Sequence, residues 1–263
     1  MSPLRMGSAR GAVVSAEQLA AAANSLSAAV DAGGEQLPAD QRDRVRAVVE
    51  KVGQRTALVG GHTVVALAGA TGSGKSSLFN ALVGAPVATV GVRRPTTAEA
   101  TAAAWGSEPA ADLLAWLGVG SRHLVEGDDA DAPLGSLDGL VLLDLPDFDS
   151  REGTHRVEAE RVLELVDLFV WVTDPQKYAD ARLHDDYVAA LATHEAVTMV
   201  VLNQSDRLAE AEVQQCRADL VRLMERDGVP RATVLATSAL TGSGMDELRQ
   251  RLANAVASRT MSR

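Results

Sequence analysis

Cysteine is nearly absent from this sequence. Cys216 stands alone among 263 residues, which excludes an internal disulfide framework and suits a reducing compartment such as the cytoplasm. It shares a helical stripe with Val213 and Leu220 and reads as a small core residue. Positive charge is also short. The net charge of −10 argues against the electrostatic footprint of a nucleic-acid or anionic-membrane binder. No apolar run approaches the roughly 18 residues that a spanning helix needs, so no membrane span is expected. Residues Met1 to Arg10 lack the basic start and apolar core of a secretory signal. The five histidines, His62, His123, His155, His184 and His194, fall singly and at no metal-ligand spacing, so no zinc site is expected. Aromatics make up only 3%, a compositional bias to which no function attaches. What remains is 46% apolar with a mean hydropathy of +0.02, enough for one large domain or one domain with an extension.

The most informative stretch is Gly69-Ala70-Thr71-Gly72-Ser73-Gly74-Lys75-Ser76, which matches the phosphate-binding pattern G-x-x-x-x-G-K-[ST]. Its glycines permit a tight loop whose backbone N–H groups point at phosphate oxygens, Lys75 adds charge for the β- and γ-phosphates, and the Ser76 hydroxyl can ligate Mg²⁺. The segment from Ser77 to Leu82 reads as a helix whose positive end would face the same phosphates. Upstream, His62 to Ala68 is an apolar, β-branched run, as expected of a buried strand feeding the loop.

Two amphipathic helices precede that strand. The first covers about Ser15 to Val30, with Leu19, Ala23, Leu26 and Val30 on one stripe, and Asp31 to Gly34 ends it. The second starts near Pro38 and carries Val45, Val48, Val49 and Val52 at helical spacing. Residues 1–60 are therefore expected to form a helical hairpin, and 61–263 a second domain. In that domain six strands are expected: His62–Ala68, Thr97–Trp105, Leu140–Leu145, Leu168–Thr173, Ala196–Leu202 and Ala232–Thr237. Helices are expected around Lys75–Val83, Arg156–Leu165, Asp180–Ala192, Leu208–Arg226 and Met245–Ser258. This alternation predicts an α/β fold with a mainly parallel six-stranded sheet. Residues 106–139 break the rhythm and read as an insertion holding a short helix, Ala110–Leu117, and a Gly/Asp-rich loop.

Three further segments bear on the base and the metal. Leu140 to Asp144 is a buried strand ending in an acid that can hold the hydration shell of Mg²⁺. Asn203-Gln204-Ser205-Asp206 follows another strand and is similar to the Asn-Lys-x-Asp guanine motif. The Asp206 carboxylate can accept hydrogen bonds from guanine N1–H and the 2-amino group, a donor pair that adenine lacks. Asn203 would tie this loop to the phosphate loop. Gln204 keeps a methylene stem for the base and lacks the lysine charge. Ser238-Ala239-Leu240 then resembles the last guanine loop, whose backbone N–H meets the base oxygen.

Together these motifs resemble the translation-factor-class, Era-like P-loop GTPases over about His62 to Ser258. Ser76–Leu82 and Arg94–Thr97 look most similar to bacterial YfjP-like and dynamin-like members. The resemblance implies a Ras-like fold, GTP and GDP as ligands, Mg²⁺ as cofactor and two switches. Arg93–Thr97 would be the first switch, with Thr96 or Thr97 closing on Mg²⁺ and the γ-phosphate. Asp147–Thr154 would be the second, with Asp147 in place of the usual glycine. Phe148 occupies the position where Ras-type enzymes carry the water-orienting glutamine, so slow turnover is expected, with Arg93, Arg94 and Arg151 as candidate charge donors. Gly72 replaces the asparagine with which some relatives hold K⁺, so no K⁺ stimulation is expected.

The resemblance leaves several readings of function open. These are a GTPase switch, a nucleotide-binding scaffold with little hydrolysis, and the G-domain fragment of a membrane-associated dynamin-like protein. An ATP-dependent kinase is disfavoured by Asp206. Partners would be a second copy or an effector, met through the switches and the N-terminal helices. Membrane association is expected only through segments outside this sequence, and a longer native chain stays an open reading.

Overall fold

Side-chain alternation along a doubly covered sheet explains the architecture. The computed structural model describes residues 16–59, 61–89, 100–106, 110–125, 135–146, 166–179, 198–230 and 232–261. Strand β1 (Thr63–Ala68) is buried at every position. Val64, Ala66 and Ala68 enter one core layer, whereas Val65 and Leu67 enter another. Such a strand reads as a continuous apolar run because both of its faces are covered.

The remaining strands are β2 (Thr101–Trp105), β3 (Ser121–Val125), β4 (Leu140–Asp144), β5 (Leu168–Thr173), β6 (Thr198–Leu202) and β7 (Thr233–Ala236). They form one sheet in the order β3-β2-β4-β1-β5-β6-β7. β4, β1, β5, β6 and β7 run parallel, while β2 pairs antiparallel with β4 and parallel with β3. Helices α3 (Lys75–Val83) and α6 (Met245–Met261) bury Leu78, Phe79, Leu248 and Leu252 against one face. Helices α4 (Ala111–Trp116) and α5 (Glu210–Arg226) bury Leu113, Leu114, Leu220 and Met224 against the other.

Among the described residues the sheet has seven strands, where the sequence predicts six. The addition is β3, which lies within the stretch read as an insertion and pairs with β2 from Thr101↔Ser121 to Trp105↔Val125. As an edge strand it needs no apolar face. Ser121 and Arg122 are exposed and Leu124 is 56% exposed, so its sequence carries no strand-like apolar run. β7 is shorter at both ends than predicted, and α5 starts at Glu210 rather than Leu208. The helices predicted at 156–165 and 180–192 lie outside the described residues.

Helices α1 (Ala16–Gly33) and α2 (Ala39–Val59) build a separate compact unit, and the sheet domain runs from Leu58 to Thr260. Pro38 caps α2 through its carbonyl, which accepts from the Gln41 and Arg42 amides at 3.1 Å. Ala23 and Val30 of α1 are buried, but Leu26 and Val48, which the stripes place with them, are exposed at 45% and 52%. The apolar seam of each helix is thus narrower than its sequence pattern suggests.

Candidate functional site

Five parallel neighbouring strands bring their carboxyl ends to one edge, and the loops leaving that edge build the site. The loop after β1 spans Gly69 to Gly74, and α3 begins at Lys75. The Gly74 carbonyl accepts the first helical bond, from Leu78 N–H at 2.9 Å. Two of its glycines have a steric reason. At Gly69 (φ +151°) a Cβ would collide with the Val172 carbonyl oxygen, and at Gly74 (φ +89°) it would collide with the Asn203 amide.

Accounting for the loop's carbonyls shows how it is held. Lys75 Nζ, on a residue only 5% exposed, donates to the Gly69 and Ala70 carbonyls at 2.9 and 3.4 Å. The Lys177 ammonium donates to the Thr71 carbonyl. Gln204 Nε2 donates to the Gly72 carbonyl at 2.8 Å. Asn203 Nδ2 reaches the Ser73 and Gly74 carbonyls at 3.1 and 3.3 Å. Every carbonyl from Gly69 to Gly74 thus accepts a side-chain donor. With its carbonyls held by these donors, the loop suits a cradle that offers backbone N–H groups to an anion.

Ser76 and Asp144 lie in contact. The Ser76 hydroxyl donates to Asp144 Oδ2 at 2.7 Å, and Asp144 is fully buried at the end of β4. A hydroxyl and a carboxylate in contact are hard oxygen donors of the kind Mg²⁺ takes, with water and phosphate completing its shell. Among the described residues no cluster of three or more His, Cys, Asp or Glu side chains could form a closed protein cage. The hydroxyl–carboxylate pair fits Mg²⁺ shared with a phosphate.

On the base side, Asn203 is 1% exposed and joins two loops. Besides its bonds to the phosphate loop, its Oδ1 accepts from Ala239 N–H at 3.2 Å and Thr237 Oγ1 at 3.3 Å. Ser238 Oγ donates to Asp206 Oδ1 at 2.5 Å, fixing the carboxylate against the Ser238–Leu240 loop. Leu240 in that loop is 86% exposed. Gln204 (φ 60°) is the one non-glycine residue with positive φ among the described residues. Strain of this kind gathers at functional sites. Its amide oxygen accepts from Arg207 Nη1 at 2.7 Å, so a guanidinium stands behind the glutamine that occupies the usual lysine position. Ser77 lies in the first turn of α3.

Two residues that the sequence reading passed over, Arg207 and Lys177, belong to this edge. The loop carrying Lys177 follows β5, the strand beside β1, and that adjacency was the available signal. The Asn80 amide bonds the Ala88 carbonyl at 2.8 Å and accepts from Val87 and Ala88 N–H at 3.0 and 2.7 Å, clamping the chain where it leaves α3. Next to Lys177, Tyr178 packs on α5, its hydroxyl 3.4 Å from Asp219. Burial pushes the Tyr178 phenol above its ordinary range, with Cys216 and Asp219 adding to the shift. Thr96, Thr97, Asp147 and Phe148, together with Arg93, Arg94 and Arg151, lie outside the described residues.

The fold is similar to that of a bacterial dynamin, from an oligomerised pair that senses and tethers membranes, at TM-score 0.54 and 14% identity over 93% of this chain. The chain spans 52% of that dynamin's length. It is also similar to Aquifex aeolicus Era, in a structure with GDP and AlF₄⁻, at TM-score 0.52 and 18% identity, covering 73% of this chain and 56% of Era. Toc33 from Arabidopsis thaliana aligns at TM-score 0.51 and 14% identity, over 84% of this chain and 94% of its own. Identities this low establish the fold alone. No curated protein sequence matches the chain. The family described as 50S ribosome-binding GTPase matches residues 64–204, the stretch from β1 to Gln204 that holds the phosphate loop, Asp144 and Asn203. With that match over more than half of its length, the chain belongs to this family of guanine-nucleotide-binding P-loop GTPases.

Proposed function

We propose that this chain is a Mg²⁺-dependent GTPase that acts as a molecular switch with slow intrinsic turnover. The observation that carries the reading is Asn203. One buried side chain bonds the phosphate loop at Ser73 and Gly74 and the base loop at Ala239, fixing the distance between the phosphate cradle and Asp206. Asp206 would read guanine N1–H and the 2-amino group, with Ser238 orienting it and exposed Leu240 lying over the ring. The N–H groups from Gly69 to Ser77 would bind the phosphates, and Lys75 would pass its hydrogen bonds from the loop carbonyls to the β- and γ-oxygens. Ser76 and Asp144 would hold Mg²⁺, whose charge offsets that of the phosphates when it is bound.

Thr97 or Thr96 in the first switch and Asp147 in the second would close on the γ-phosphate and be released on hydrolysis. Phe148 in place of a hydrogen-bonding side chain accounts for the slow turnover. In this reading residues 1–60 are a helical extension and 61–263 the G domain. A second copy or an effector would meet the switches and the helices. Dimerisation matters for the GTPase activity of chloroplast translocon components of similar fold, which supports the second copy. No helix among the described residues is long and apolar enough to cross a membrane, and we place the chain in the cytoplasm or at a membrane periphery.

Phosphate release from GTP, measured on the full chain with Mg²⁺ beside Lys75→Ala, tests the proposal. A slow release that the variant abolishes is expected. Tight GTP binding without any release would overturn hydrolysis in favour of a scaffold.

A further inference from the structure

Lysine is the rarest charged residue here. Against 25 Lys and Arg together, the chain has only Lys51, Lys75 and Lys177. Lys75 and Lys177 both meet the phosphate loop, so in an arginine-rich chain lysine is kept largely where a compact ammonium touches that loop. Lys177 follows β5 in a turn held by its own N–H on the Asp174 carbonyl at 3.1 Å and by Gln176 N–H on Asp174 Oδ1 at 2.8 Å. Asp174 is buried, so the base of the turn is fixed. The ammonium donates to the Thr71 carbonyl and lies 3.5 Å from the point where a Cβ on Gly72 would sit. A Cβ there would be in ordinary van der Waals contact with the ammonium, so the two loops lie close together at this point.

The carbonyl of Thr71 and the N–H of Gly72 belong to one peptide group. A cation on the oxygen draws electron density from the nitrogen and makes the N–H a stronger donor. That gain is largest when negative charge builds up on the facing phosphate oxygens. We propose that Lys177 is a positioning residue for phosphoryl transfer, acting through the Thr71–Gly72 peptide as a built-in cation at the apex of the loop. This rests on the GTPase reading above.

The test uses the full chain and Lys177→Met, which keeps the aliphatic stem. Melting temperature and GDP affinity report folding and ground-state binding, and single-turnover GTP cleavage reports the chemical step. Cleavage should fall about tenfold while GDP affinity changes less than about threefold, since a donor used mainly in the transition state moves the rate more than binding. Ammonium chloride should restore part of the rate, and tetramethylammonium chloride at equal ionic strength should not. An unchanged rate, an equal loss of GDP affinity, or a loss that ammonium does not repair would overturn the proposal. If the parent chain cleaves no GTP, the GTPase reading fails by itself. The proposal is then read from binding: the variant should lose more affinity for GTPγS than for GDP, and equal losses would refute it.

Discussion

Replacing Asn203 with alanine removes a buried side chain that ties the phosphate loop to the base loop. Four hydrogen bonds go with it: two to the Ser73 and Gly74 carbonyls at 3.1 and 3.3 Å, one from Ala239 N–H at 3.2 Å and one from Thr237 Oγ1 at 3.3 Å. All four are long, so each belongs at the weak end of the net range of about 0.5–1.5 kcal/mol for a protein hydrogen bond. Their former partners stay where water reaches poorly, since Asn203 is 1% exposed. The sum is a loss of about 2–3 kcal/mol, toward the upper part of the usual range for single substitutions. For a domain of this size that corresponds to a drop of about 4–12 °C in melting temperature. Asn203→Asp should be worse, because it sets a carboxylate against two carbonyl oxygens that require a donor. Thermal melting without nucleotide reads the stability, and titration with a fluorescent GDP analogue reads the coupling between the loops. The expected affinity loss is at least about tenfold, equal to ~1.4 kcal/mol. A melting point within about 2 °C of the parent, with GDP binding unchanged, would refute the reasoning.

Two further outcomes follow from the same geometry. Gly69→Ala should destabilise the chain by roughly 2–4 kcal/mol, because the new Cβ meets the Val172 backbone oxygen at a φ that alanine rarely adopts; a melting curve like the parent's would contradict this. Tyr178→Phe bears on alkaline stability. A phenol whose folded pKa is raised contributes stability that is present below its ordinary value near 10 and lost as pH rises past it. Urea melts at successive pH values above that point should fall less steeply for the variant, and identical slopes would remove Tyr178 as the cause.

Much of this fold is legible in the sequence because the central strands are covered on both faces. Leu140–Asp144 and Leu168–Thr173 carry apolar runs that announce themselves, and α3 begins at the lysine the motif predicts. β3 is not legible for the opposite reason: an edge strand with exposed Ser121, Arg122 and Leu124 has no pattern to show. The stripes of α1 and α2 mislead at Leu26 and Val48, where helical spacing indicates a face but not what covers it. In the site, Ser76 and Asp144 are found by motif and are brought into contact by strand order. Lys177 and Arg207 belong to no motif. Their roles arise from which loops the sheet places side by side, information that exists only after β5 is laid next to β1 and β6 next to β5. The glutamine at 204 also reads differently in three dimensions, since its bond to Gly72 keeps the link between the two loops and Arg207 restores a positive charge behind it.

The central claim is that Asp206, held by Ser238, selects guanine for the phosphate loop. Calorimetric titration of the parent chain and Asp206→Asn with guanosine and xanthosine diphosphates tests it most directly. Asparagine offers an N–H where aspartate offers an oxygen, and xanthine carries a carbonyl where guanine carries the 2-amino group. The account predicts that the parent prefers the guanosine ligand and the variant the xanthosine one, with a swing in relative affinity of at least about a hundredfold, or ~2.7 kcal/mol. Equal binding of both ligands by both proteins would contradict it.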